Sequence, residues 1–169
     1  AAIFARLLAE KNGDTISTAA NTKFADIPAH AWYSGYVKYL SNNGITYGKS
    51  KTIFAPNDAI TRAEFTTMAV RFFDVYGDGD AEIMEQFSGF NDVSSGYWAA
   101  EYLKYAALHG WINGYGDGSF HAEREINRAE VVTIVNRLLG READEDYIAD
   151  NLRKLNTFPD VSRKHWAYY

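Results

Sequence analysis

Apolar residues recur at spacings of three and four in three parts of the chain, the periodicity of an amphipathic helix packed on one side. The first stripe consists of Phe65, Met68, Ala69 and Phe72, and the second of Val131, Ile134, Val135 and Leu138. A third, at the N-terminus, consists of Ile3, Phe4 and Leu7. Three similar helices with one apolar face each should pack together, so the pattern predicts a central three-helix bundle.

Polar residues ahead of the two longer stripes mark where those helices begin. Thr61 and Glu64 have the spacing of a capping box, in which each side chain bonds a free amide at the start of the helix. Asn127 and Glu130 repeat the arrangement with asparagine as the cap. Both stripes are therefore predicted to start at a capped N-terminus.

A shorter helix is predicted before each capped one. The first begins near Trp32 and ends at Gly44, because glycine readily takes the left-handed conformation found at helix ends. Its counterpart runs from near Trp98 to Gly110. The chain is therefore predicted to be mainly α, with two helices joined by a glycine-containing loop in each unit.

The same landmarks recur 66 residues apart, so these units are internal repeats. The offset pairs Phe24 with Phe90, Trp32 with Trp98, Gly48 with Gly114, Phe54 with Phe120 and Arg62 with Arg128. A third start at Phe158 keeps Trp166. At the other end of the chain, Arg6 aligns with Arg71 and Arg137.

The repeats divide the chain into four parts. Residues 1–23 are predicted to be the C-terminal part of a repeat, residues 24–89 a complete repeat with an acidic connector, residues 90–157 a complete repeat with a helical connector, and residues 158–169 the N-terminal part of a further repeat. The connector helix is expected to point Tyr147, Ile148 and Leu152 inward. We expect the sequence to be a piece of a longer protein, with its terminal parts closing either within the chain or between chains.

Composition and charge argue against several classes of function. A net charge of −5 and a pI near 5.3 disfavour a nucleic-acid-binding protein, which needs a basic face. The absence of cysteine removes disulfides and thiol chemistry, and no apolar run reaches the roughly 20 residues of a membrane span. No nucleophile-elbow, phosphate-loop or zinc motif is present, so we predict neither an enzyme nor a cofactor.

The order of the motifs resembles the S-layer homology family. Each complete repeat reads F-x-D-[IV], then W, G-x-x-x-G, F and I-[TN]-R-A-E. The resemblance implies tandem two-helix repeats in a pseudo-threefold unit, secreted to the cell wall or S-layer surface. It also implies that grooves between neighbouring repeats bind a secondary cell-wall polysaccharide, often pyruvylated, with the motif arginines Arg62 and Arg128 as principal contacts. A third motif arginine is absent from the sequence.

Arg62 and Arg128 each occupy the first turn of a helix, where the dipole and the free amides favour an anion. We predict that the guanidinium and the amides together clamp a ligand carboxylate, such as that of a pyruvyl ketal. The alternative is a structural ion pair with a carboxylate such as Asp26 or Asp92.

The other candidates for the glycan site are Trp32, Trp98, Asp26, Asp92, Gly48 and Gly114. The tryptophans either stack on sugar rings or pack between the two helices of their own repeat. The aspartates either contact the ligand or fix a turn. The glycines border the groove if the resemblance holds, and a close backbone approach or a positive φ angle would also explain them. The capping role accounts for Glu64 and Glu130, so a catalytic carboxylate pair is not expected.

A weak calcium motif lies in the first connector. Asp74, Asp78, Asp80 and Glu85 fall at positions one, five, seven and twelve of an EF-hand loop, but Tyr76 occupies position three. We therefore predict no metal site and interpret the segment as a solvated acidic linker, with calcium binding as the alternative.

The leading functional hypothesis is non-covalent anchoring of a surface protein to the bacterial cell wall through its polysaccharide. The alternative is a structural module that assembles an S-layer lattice without binding glycan directly. Self-association through the two terminal parts is a further partner interaction left open by the sequence.

Overall fold

A computed structural model describes residues 1–77, 87–151, 161 and 165–166. This part of the chain contains six helices: α1 (Ala2–Asn12), α2 (Ser34–Asn42), α3 (Arg62–Tyr76), α4 (Ala100–Leu108), α5 (Arg128–Leu138) and α6 (Glu145–Asn151). Its β structure is one isolated antiparallel bridge between Thr61 and Glu125. The prediction of a mainly α protein is confirmed, and none of the described helices is long and apolar enough to cross a membrane.

Both predicted capping boxes are present. The Thr61 side chain accepts a hydrogen bond from the Glu64 amide at 3.2 Å, and the Glu64 carboxylate accepts one from the Thr61 amide at 3.0 Å. Asn127 and Glu130 exchange the same two bonds, each at 3.0 Å, at the start of α5. These bonds satisfy amides that a helix start otherwise leaves without partners, and they fix the first residues of α3 and α5.

The apolar stripe of α3 lies in the core as predicted. Phe65, Met68, Ala69 and Phe72 are buried, and the Phe72 ring stacks on the Phe4 ring of α1 with centroids 4.6 Å apart. The stripe assigned to α1 is wrong in one position, because Ile3 is 46% exposed. The buried residues of α1 are Phe4, Ala5, Leu8 and Ala9. Apolar residues occur almost all round this helix, so their spacing does not define which side faces inward.

The packed helix pairs cross the boundaries of the sequence repeats. Helix α2 packs against α1 and α4 packs against α3, whereas α2 and α3, the two helices of residues 24–89, make no close contact. Helix α3 also packs against α5 and α1. Each first helix therefore docks on the second helix of the preceding repeat.

Arginine–tyrosine pairs fasten these docked helices. Arg6 donates to the Tyr36 hydroxyl through Nε and Nη2 at 3.3 and 3.2 Å, and Arg71 donates to the Tyr102 hydroxyl at the same two distances. Each guanidinium also lies about 5 Å from the ring it contacts, within the range of a cation–π interaction. The pairs join α1 to α2 and α3 to α4 in the same way.

The connector between the second repeat and the third start forms helix α6, as predicted. Its Tyr147 is 58% exposed, so the expectation that this side chain points inward is wrong. The physical reason is that α6 packs against none of the other described helices, so none of them covers Tyr147. Ile148, expected on the same face, is half-buried. Leu152, assigned to the same face, lies outside the described residues.

Candidate functional site

Two grooves with equivalent linings lie between the repeats. Groove A has a volume of about 530 Å³, and its lining includes Tyr47, Gly48, Glu64, Arg71 and Trp98. Groove B has a volume of about 240 Å³, and its lining includes Asn113, Gly114, Glu130, Arg137 and Trp166. The first four residues of the two sets are 66 positions apart and the tryptophans 68, so the grooves are two copies of one site.

Each groove collects residues from more than one sequence repeat. In groove A the loop and the α3 residues belong to residues 24–89, whereas Trp98 comes from the next repeat. Groove B adds Arg62, which comes from the repeat before its loop. None of the 169 residues corresponds to Arg62 in groove A, and Ala1 is among the residues that line this groove. Among the predicted site residues, Gly48 and Trp98 therefore line groove A together, and Arg62 and Gly114 line groove B together.

Arg62 is held in the wall of groove B by protein groups. Its Nε donates to the Phe120 carbonyl oxygen at 2.9 Å, and its Nη1 donates to the Glu130 carboxylate at 2.7 Å. The guanidinium carbon also lies 4.3 Å from the centre of the Phe120 ring. Burial lowers the pKa of Arg62 from its usual value, and the charge of Glu130 opposes that shift. The group stays charged because an arginine pKa starts far above neutrality.

This ion pair bears on both interpretations of Arg62. The carboxylate that pairs with it is Glu130, so Asp26 and Asp92, suggested as its structural partners, do not have that role. The expectation that the amides of the first turn share the ligand is also wrong for this helix. The amides of Arg62 and Ala63 donate to backbone carbonyls of the loop before α5, at 2.9 and 3.0 Å. A ligand in groove B would therefore meet the edge of the guanidinium without these amides.

Glu130 is the centre of a charged cluster beside Arg62. It caps α5, pairs with Arg62, and also accepts from Arg124. Burial opposes its ionisation, but the Asn127 amide and the two arginines outweigh that effect and hold the pKa of Glu130 below its usual value. Groove B thus contains a carboxylate that is fully ionised and already paired at neutral pH.

The tryptophans are exposed, which contradicts packing between the two helices of their own repeat. Trp32 is 67% exposed, Trp98 54% and Trp166 62%. Trp98 lines groove A and Trp166 lines groove B, while Trp32 lines neither of them. Exposed aromatic rings at the edge of a polar groove suit stacking on the faces of sugar rings.

The aspartates fix turns, as the structural alternative proposed. The Asp26 carboxylate accepts from the Phe54 and Ala55 amides at 2.9 and 2.6 Å. The bond from Phe54 is the main reason that the pKa of Asp26 lies below its usual value. Asp92 accepts from Phe120 and His121, both at 2.7 Å. Neither aspartate lines groove A or groove B.

Gly48 and Gly114 both permit a close approach of the backbone to an aromatic ring. A Cβ on Gly48 would lie 2.5 Å from the Ile53 carbonyl oxygen and 2.5 Å from the Phe24 ring, and φ at this glycine is +78°. A Cβ on Gly114 would lie 2.6 Å from the Ser119 oxygen and 2.9 Å from the Phe90 ring. Both structural explanations hold at Gly48, and the close approach explains Gly114.

Arg128 lies apart from Arg62. It is exposed at the first position of α5 and lines a third cavity of about 970 Å³ together with Arg137, Arg141, Tyr147 and Trp166. The two motif arginines therefore face different cavities, and Trp166 lies between groove B and this cavity.

The calcium alternative falls mostly on residues that the structure leaves undescribed. Asp78, Asp80 and Glu85 lie outside the described residues, and Asp74 lies in the last turn of α3. Within residues 1–77 and 87–151 and the three described positions after them, no group of three or more histidines and carboxylates could hold a metal ion. The solvated acidic linker therefore stays the prediction, with calcium binding as its alternative.

Sequence reasoning missed Arg71 and Arg137 as groove residues. Arg71 lies between two aromatic rings, with its guanidinium carbon 4.7 Å from the Tyr47 ring and 4.9 Å from the Tyr102 ring. The alignment of Arg6 with Arg71 and Arg137 was visible in the sequence. These aligned arginines lie on the face of each second helix that contacts both the groove and the next repeat.

Comparison with known proteins identifies the family. The sequence profile of the S-layer homology domain matches residues 23–66 and 89–132, more than half of the chain, and the chain belongs to that family. Two relatives from Acetivibrio thermocellus align over 99% of the chain: cell surface glycoprotein 1 at 31% identity and a cellulosome-anchoring protein at 30%. The chain spans 7% of the first and 35% of the second. The protein is thus a repeat-containing module of the cell surface, associated with the cell wall.

The family also bears on catalysis. An exoglucanase from Acetivibrio thermocellus is 32% identical over 72% of this chain, but the matching region is 11% of that enzyme. In the exoglucanase, the matching region is a small part of a longer protein. The comparisons therefore suggest a non-enzymatic role for the residues present here.

Proposed function

We propose that the chain anchors a surface protein to the bacterial cell wall by binding an acidic secondary polysaccharide in grooves A and B. The observation that carries this proposal is the composition of groove B, where the arginines Arg62 and Arg137 and the exposed Trp166 line one cavity. Arginine suits a carboxylate because its planar fork binds both oxygens, and an exposed indole suits the apolar face of a sugar. A pyruvylated sugar presents both features.

Groove A supports the same proposal with a different set of side chains. Tyr47 and Trp98 are both more than half exposed at its edge, and Arg71 lies against Tyr47. Lys49 also lines this groove and pairs with Glu64. A glycan that follows the surface from one groove to the next would meet an arginine and a tryptophan in each. The proposal includes a third contact of this kind in the cavity that Arg128 and Trp166 line.

The same proposal includes a pseudo-threefold arrangement of α1, α3 and α5. Two features support it: α3 packs against both other helices, and residues of all three line a cavity of about 510 Å³ near their C-terminal ends. Leu7, Phe73 and Leu138 are among the residues that line this cavity. The terminal parts of the chain would complete the third unit, within one chain or between two.

Binding to purified wall sacculi, with and without their secondary polymer, tests the anchoring proposal. The chain is expected to sediment with intact sacculi and to stay in solution when the polymer has been removed. Equal sedimentation with both would contradict glycan binding, and assembly of the chain without sacculi would favour the lattice alternative.

Variants locate the binding within the grooves. Arg62→Ala combined with Arg128→Ala is expected to weaken binding by more than about tenfold, since each charge-assisted pair contributes roughly 1.5–3 kcal/mol. A change within about twofold would overturn the assignment of these arginines. Because Arg62 is buried, Trp98→Ala with Trp166→Ala provides a second test on exposed residues. Trp32→Ala is the matched control, since Trp32 is similarly exposed but lines neither groove.

A further inference from the structure

A chain of hydrogen bonds links Asp92, at the start of the second repeat, to Arg62 in groove B. The Asp92 carboxylate binds the amides of Phe120 and His121, both at 2.7 Å. The carbonyl oxygen of Phe120 accepts from Arg62 Nε at 2.9 Å, and the Phe120 ring lies 4.3 Å from the guanidinium carbon. Two of the groups that hold the guanidinium therefore belong to Phe120, whose amide binds Asp92, while the Glu130 carboxylate is a further contact.

We propose that Asp92 is a positioning residue for the glycan site: it fixes the turn at Phe120 and His121, and this turn aims Arg62 into groove B. The inference rests on the proposed function for its biological meaning, but the positioning itself is a property of the free protein. It assigns Asp92 a role that differs from direct contact with the ligand.

The backbone at this turn explains why a carboxylate is needed. His121 has φ of +54°, in the left-handed region that residues with a side chain enter rarely. Two amides that point the same way at one carboxylate offset that cost, because each of its oxygens accepts one bond. An asparagine offers a single acceptor and turns an NH₂ group towards the second amide, which also donates. The turn would then relax, and the Phe120 carbonyl would move with it.

The first repeat contains the same turn without the same arginine. Asp26 binds the amides of Phe54 and Ala55, and Ala55 has φ of +60°. The 169 residues contain no position equivalent to Arg62 that would meet this turn. Asp26 is therefore a control within the chain, because its loss relaxes the equivalent turn and leaves Arg62 untouched.

The direct measurement is the NMR signal of the Arg62 Nε–H group in the 169-residue chain, identified by its disappearance in Arg62→Lys. We expect Asp92→Asn to shift or broaden this signal and Asp26→Asn to leave it unchanged. The double variant Asp92→Asn with His121→Gly should return the signal towards its original position, because glycine adopts a positive φ without the carboxylate. If Asp92→Asn does not fold, Asp92→Glu, which keeps the charge but misplaces it, should shift the signal in the same sense.

The binding measurement uses pyruvylated N-acetylmannosamine as the probe. Asp92→Asn should weaken binding in groove B by roughly fivefold or more, and Asp26→Asn should leave binding there unchanged. An Arg62 signal that is unchanged in Asp92→Asn, or that changes equally in Asp26→Asn, would overturn the positioning role. A signal that moves as expected in a protein that binds no probe would uphold the positioning role and contradict the proposed function.

Discussion

Arg62 combines burial with a position at a groove. It is 6% exposed, it forms an ion pair with Glu130, and it lines groove B. A buried guanidinium held by a carbonyl, a carboxylate and a ring has little freedom to move. Binding of a ligand to the remaining edge of the guanidinium would therefore cost the protein little conformational entropy, because the side chain is already ordered.

Three glycines, Gly13 at the end of α1 and Gly48 and Gly114 in the groove loops, allow a prediction that separates close approach from backbone conformation. Gly13 has φ of +71° and space for a Cβ, Gly114 has no space but an ordinary φ, and Gly48 has both constraints. Alanine should cost about 1–2 kcal/mol at Gly13, roughly 1–3 kcal/mol at Gly114, and the most at Gly48. Urea unfolding measures the three values. A Gly48→Ala variant no less stable than Gly13→Ala would contradict the close approach.

The turn-fixing aspartates predict how stability changes in acid. The pKa of each is lower in the folded protein than in the unfolded chain, so each contributes stability above the unfolded value of about 3.9. That contribution is lost as the pH falls through the folded pKa. Asp26→Asn with Asp92→Asn should therefore be less stable than the parent near about pH 7, with a smaller difference below about pH 4. Denaturant titrations across this range test it, and a difference independent of pH would contradict it.

The sequence predicted which residues recur in equivalent positions. It did not predict which side chains those residues contact. Spacing identified Arg62, Trp98 and Gly48, but it could not reveal that Arg62 meets Glu130. That contact joins residues 68 positions apart, and it depends on how one repeat docks on the next. The direction of Trp98 was left open for a similar reason, since a tryptophan at a helix start has no periodicity that distinguishes inside from outside.

At the scale of helices, the docked pairs are α1 with α2 and α3 with α4. Start signals such as Thr61 and Glu64 placed the helices well, because caps act through local hydrogen bonds. The pairing was not predictable, because the apolar residues of α2 and α4 define which face is buried and not which helix covers it. Arg71 and Tyr102 are the polar contact that identifies the partner.

A double-mutant cycle tests the pairing of α3 with α4. Arg71→Met and Tyr102→Leu should show a coupling energy of about 0.5–1 kcal/mol, because each removes the same hydrogen bonds and ring contact. The control cycle pairs Arg71→Met with Tyr36→Leu, two positions in one sequence repeat whose helices are not in contact. Its coupling should lie within about 0.3 kcal/mol of zero. Equal coupling in both cycles would contradict a specific contact between α3 and α4 at these residues.

At the scale of the whole molecule, each groove is a joint between repeats. Groove B takes Arg62 from one repeat, Gly114 and Glu130 from the next, and Trp166 from the third start. A single repeat therefore contributes residues to more than one groove, and neither groove A nor groove B is formed by one repeat alone. This explains why the 66-residue period identified equivalent residues but not which of them share a groove.

The central claim is that an acidic wall glycan binds in these inter-repeat grooves. An NMR titration of the chain with pyruvylated N-acetylmannosamine tests it most directly, followed through the indole N–H signals of the tryptophans and the Arg62 Nε–H signal. We expect saturable shifts for Arg62, Trp98 and Trp166, a much smaller shift for Trp32, and no response to the same sugar without pyruvate. Absence of shifts at Arg62 and both groove tryptophans, or an equal response to the sugar without pyruvate, would contradict the claim.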